Sequence, residues 1–158
     1  MIDLSSTPII LLVILGSVGV VLPVVNVAFK EKGSVLSYGA ITLAAMFGSI
    51  GYVLYQLALD HVAPAAIFSS DVLVDDAFGA LFAIAMLIVA IFTTVGSFSY
   101  MKNKANPSIY FSLILLSTIG MVLVAYATDL VMLFIAWELM SIPTYILAVS
   151  YTHLRAHE

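Results

Sequence analysis

Apolar positions along the chain are gathered into long blocks rather than spread in alternation with polar ones. Five runs, 8–29, 34–59, 77–100, 109–127 and 130–150, are almost wholly apolar, and every charged residue but Glu138 lies outside them. A hydrocarbon core about 30 Å thick is crossed by roughly 20 helical residues rising about 1.5 Å each, so each run predicts one transmembrane helix. The expected fold class is therefore an all-α membrane protein of five helices. The first run does not read as a signal peptide: Asp3 rather than a basic residue precedes it, it is too long, and no small-residue cleavage site stands before Lys30.

The breaks between runs carry their own signals. Thr7-Pro8 and Asn106-Pro107 each set a capping side chain before a proline, which suits a helix start because proline lacks the amide proton left unpaired there. The stretch 60–76 holds Pro64, Ser69, Ser70 and several aspartates, and reads as a polar loop with a short apolar touch at 65–68 on the membrane surface. Lys30 and Lys32 follow the first helix and Lys102 and Lys104 the third, whereas the N-terminus and the alternate loops carry acids only. By the positive-inside rule this places the N-terminus outside and the end of the fifth helix in the cytoplasm. Ala40, Ala44 and Gly48 on the second helix, and Gly79 with Ala83 on the third, recur at four-residue spacing. Such spacing lets backbones approach closely in lipid, although a chain rich in Gly and Ala also produces it by chance. Pro23 and Pro143 predict kinks.

Composition agrees with a lipid solvent, since apolar residues make up 63% of the 158 positions and charged ones 9%, too few to keep so small a domain in water. With five scattered Lys and Arg residues and a net charge of −4, nucleic-acid binding is excluded. The lack of cysteine excludes a thiolate-held iron–sulfur cluster, so any electron transfer belongs to another subunit and no cofactor is expected in this chain.

Candidate chemistry concentrates at Glu138, the ninth residue of its run and so roughly 12 Å below the surface the helix enters from. A charge at mid-membrane costs roughly 2.5 to 3.5 kcal/mol to insert, which the surrounding Leu, Ile, Phe and Val offset. Ser141 and Tyr145, three and seven residues on, share its face and make a polar track expected to line the bundle interior or a hydrated cavity. Desolvation favours a neutral carboxyl and a nearby cation a charged one, so a movable positive partner would switch such a group between holding and releasing a proton. The plainer reading makes Glu138 a hydrogen-bonded packing residue or an assembly contact. Trp137 reads as packing or an interfacial anchor, and Asp129 as a helix cap.

The stretch 110–149, with YATDLVMLFIAWELMSIPTYILAV at its heart, resembles the fourth and fifth helices of the antiporter-like membrane subunits of complex I and related dehydrogenases. The likeness is greatest to subunit N, notably the archaeal versions in NADH-type or reduced-deazaflavin dehydrogenases, and VLVDDAFGALF at 72–82 fits the same family's approach to its third helix. That family also includes multisubunit sodium/proton antiporters and membrane-bound hydrogenase subunits. The resemblance implies that Glu138 is the fifth-helix glutamate that works with a lysine on a later, broken helix to move protons. It implies a truncated antiporter-like bundle at 1–150, a multi-pass place in a prokaryotic cell (inner) membrane, other membrane subunits as partners, and quinone met only indirectly. A sodium/proton antiporter subunit and a non-transporting scaffold remain as alternatives. The final stretch 151–158, YTHLRAHE, departs from the family and reads as a non-native tail resembling a translated cloning adapter. Its His153 and His157 are weak evidence for a metal, and His61 reads as a solvated loop residue.

Overall fold

A computed structural model describes residues 6–28, 34–59, 72–102 and 106–155, the side chains of 150–155 excepted. Lys30, Lys32, Lys104, His61, the surface touch at 65–68 and the side chains of the tail lie outside the described residues. The described residues form five helices, α1 (Thr7–Ala28), α2 (Val35–Ala58), α3 (Ala77–Met101), α4 (Pro107–Tyr126) and α5 (Leu130–Arg155). Each is long and apolar enough to cross a membrane, with mean hydropathy from 1.5 to 2.7 over its central window. The predicted spans stand within a few residues at either end; α5 continues as helix to Arg155, past the end expected at 150.

Local chemistry sets the helix starts. Ser34 caps α2 by accepting from the Ser37 amide at 3.1 Å, and Asp76 caps α3 by accepting from the Gly79 amide at 2.7 Å. Two expected caps are corrected. Asn106 adopts the left-handed conformation, φ 58°, and its side chain makes no capping bond; Pro107 at the first turn begins α4 by itself. Thr7 is the first residue of α1, not its cap, and its amide is taken by Asp75 from the far side of the chain at 2.7 Å. Asp129 stands just ahead of α5 and its carbonyl accepts from the Leu133 amide at 2.9 Å.

α4 is the hub of the bundle. It packs against α1, α2, α3 and α5, whereas α5 packs against α4 alone among the described helices. Half of α4's central window is buried, against 11% of α5's. Phe111, Leu115, Ile119, Val122 and Tyr126 of α4 meet Leu11 and Leu15 of α1, Met46 and Val53 of α2, and Ala83 and Leu87 of α3 in one apolar core. Lipid gives helices no hydrophobic drive to associate, so small residues decide where they touch. A Cβ at Gly120 would come within 2.8 Å of both the Ala136 carbonyl oxygen and Met140 Cα, which brings the α4 and α5 backbones into contact there. Against α1, the Ser112 hydroxyl donates to the Gly19 carbonyl.

Gly79 and Ala83 are buried as the spacing predicts, with the Tyr126 ring seated over Gly79. The stripe Ala40, Ala44 and Gly48 is not a seam: all three are exposed, and a Cβ at Gly48 would meet nothing within 4 Å. α2 instead packs through Gly39, Thr42, Ala45, Met46 and Ser49. One residue of offset on a helix is a turn of about 100°, so the small stripe that spacing picks out lies beside the packed face, uncovered by the described helices.

At one rim of the bundle the segment before α3 is stitched to the turn between α4 and α5. The Val74 amide donates to the Tyr126 carbonyl at 3.0 Å and the Thr128 amide to the Val72 carbonyl at 3.2 Å, around an antiparallel bridge of Leu73 with Ala127. This rim also holds the start of α1 through the bond from Thr7 to Asp75.

Candidate functional site

The site begins with the face that α5 turns to α4. Ala136 and Pro143 are buried, Met132, Leu139 and Leu147 are half-buried against the core, and Met140 meets Gly120. Ser117 of α4 fastens this face, donating to the Met140 carbonyl at 3.2 Å and lying 3.3 Å from the Thr144 hydroxyl. Glu138 comes two residues after Ala136, about 200° around the helix, and so projects from the side turned away from α4. Glu138 as a residue is half-buried there. Its neighbours on that side are largely exposed: Phe134 by 65%, Trp137 by 57% and Tyr145 by 68%.

The structure thus sets Glu138, Ser141 and Tyr145 on a common side of α5 without joining them by hydrogen bonds among the described residues. Ser141 is half-buried, and its hydroxyl donates to the Trp137 carbonyl at 2.8 Å, within its own helix. Such a back-bond satisfies a hydroxyl in lipid without a partner helix. The side that carries Glu138 is the side that the five-helix packing leaves uncovered. A groove of about 470 Å³ lies elsewhere, between α3 and α4, lined by Phe78, Phe82, Met86, Met121 and Tyr126 with Asp76 at its end.

Sequence reasoning passed over a second group of polar residues, at the stitched rim. Asp75, Thr7 and Tyr126 come together there, although the first two are 68 positions apart. The signal available in the sequence was the doubled aspartate, Asp75 and Asp76, of which capping α3 occupies only the second.

Against curated proteins, the chain is 32% identical to NADH-quinone oxidoreductase subunit N of Desulfitobacterium hafniense over 149 residues, 92% of this chain and 28% of that protein. It is 34% identical to the subunit of the same name from Trichlorobacter lovleyi over 137 residues, 86% of this chain and 27% of that protein. A further match, 38% identical over 79 residues, is F420H2 dehydrogenase subunit N of Methanosarcina mazei, covering 50% of this chain and 16% of that protein. The chain belongs to the subunit N family. Among the described residues it has five helices long and apolar enough to cross a membrane. It spans less than a third of the length of the subunit N proteins it matches. No family model and no solved structure matches it.

Proposed function

We propose that this chain is part of a proton-translocating membrane subunit of an NADH-quinone oxidoreductase-type complex, in which Glu138 takes up and passes on a proton while electron transfer runs in other subunits. The observation that carries the reading is a half-buried glutamate about 12 Å into an apolar span, on a face of α5 that no described helix covers. Acyl chains offer a carboxyl no hydrogen bond, so an acid at this depth needs protein or water against that face. A cation brought close by another element would favour the charged form and its withdrawal the neutral one, which is what a proton relay requires. Ser141 and Tyr145 extend the polar side of the helix one and two turns further.

In this scheme the partners are other membrane subunits, quinone is met only through them, and the chain holds no redox cofactor of its own. The N-terminus stands outside a prokaryotic cell membrane, with Lys102 at the cytoplasmic end of α3. The deciding experiment replaces Glu138 by Gln in the assembled enzyme and measures proton release per electron in inverted vesicles. Loss of pumping with normal assembly is expected; wild-type rate and stoichiometry would refute the relay. The uncovered face of α5 also favours an assembly contact as a second reading, and this predicts the opposite split: subunits that fall apart around an otherwise unaltered flux.

A further inference from the structure

Three residues of the stitched rim each bury a polar atom that has no hydrogen-bond partner among the described residues: Thr7 Oγ1, Asp75 Oδ1 and Tyr126 OH. Hydrogen bonds tie these residues to the one rim. The Thr7 amide donates to the other oxygen of Asp75 at 2.7 Å, and the amide of Val74, the residue before Asp75, donates to the carbonyl of Tyr126 at 3.0 Å. The Tyr126 ring lies over the first turn of α3, where a Cβ on Gly79 would come within 2.6 Å of it. Thr7 is fully buried and Tyr126 only 1% exposed, so neither hydroxyl can turn to bulk water for relief.

The chemistry of the three atoms selects the ligand. Each hydroxyl brings a proton to donate, and the ionised carboxylate brings only lone pairs. A group that accepts twice and donates at least once completes the set. We propose that this junction is a binding site for an internal water molecule, which accepts from Thr7 and Tyr126 and donates to Asp75. Three hydrogen bonds is the usual complement of a buried water. An alkali cation answers the carboxylate but gives neither hydroxyl proton an acceptor, so it fits the set less well. The water fastens the starts of α1 and α3 to the end of α4. The site is separate from Glu138 and does not rest on the relay.

Thermal unfolding of the full chain in nanodiscs tests this through the sign of an effect. With the water in place, Tyr126→Phe and Thr7→Val each break a satisfied bond and lower Tm by about 2–8 °C. The double variant loses clearly less than the sum, because both changes cut the same bridge. A rise in Tm for either variant would mean the hydroxyl had been unsatisfied and would overturn the proposal, as would strictly additive losses. If Tyr126→Phe does not fold, the sign for Thr7→Val decides by itself. Exchange of sodium for choline at constant ionic strength leaves Tm unchanged for a water site. A fall on removing sodium that Asp75→Asn abolishes would assign a cation and reject the water.

Discussion

Asp75 and Glu138 are both acids in a chain built for lipid, and the structure treats them in opposite ways. Asp75 sits at the rim and takes the first amide of α1, where the starts of α1 and α3 and the end of α4 converge. Glu138 sits inside a span, on the side of α5 turned from α4, the one helix it packs against among the described residues. An acid that accepts an amide at a helix start ties that start down and contributes to folding. An acid inside a span needs protein or water against it, and the proposed relay would supply that at Glu138. Position along the span, more than residue type, separates the two acids.

The largest effect expected from breaking this contrast is on transport. Glu138→Gln should lower proton pumping by the assembled enzyme at least about tenfold, with little change in the unfolding temperature of the subunit. Gly120→Val comes next, because it drives a side chain into the backbone at Ala136 and Met140. It should destabilise the α4–α5 pair by roughly 3 kcal/mol or more, read as early loss of α5 to protease during denaturation. Asp75→Ala should show the reverse of Glu138→Gln, costing about 1–3 kcal/mol in stability while pumping by the folded fraction persists. Asp76→Ala, which removes only the cap of α3, should cost about 1 kcal/mol by the same unfolding measurement. The smallest effect belongs to Ala44→Leu, on the exposed side of α2, which should stay within about 0.5 kcal/mol of wild type.

How much of this was legible in the sequence depends on the range of the forces involved. The five spans were, since hydropathy over some twenty residues is a local property, and so was the burial of Gly79 and Ala83. The packing face of α2 was not. Small residues at four-residue spacing mark a stripe but do not say whether protein or lipid lies against it, and here the buried stripe is one position away, through Gly39 and Thr42. The start of α1 was misread for a related reason. Thr7 has the chemistry of a cap, but an aspartate 68 positions away reaches its amide first. At the candidate site, the position of Glu138 in the fifth span could be read directly, whereas its side relative to α4 depended on where Gly120 lets the backbones touch. The Ser141 hydroxyl, expected to extend the track, is spent within its own helix on Trp137.

The close approach at Gly120 also acts as a fulcrum. With α5 seated on α4 along that line and Ser117 hooked to Met140 and Thr144, a motion that preserves these contacts is a roll of α5 about the seam. Points on the seam barely travel in such a roll, while the opposite flank sweeps the widest arc. With the Glu138 carboxyl about 10 Å across the helix from the seam, a roll of about 10° carries it roughly 2 Å. Displacement of that size is enough to make or break a hydrogen bond on the flank that carries Glu138, Ser141 and Tyr145.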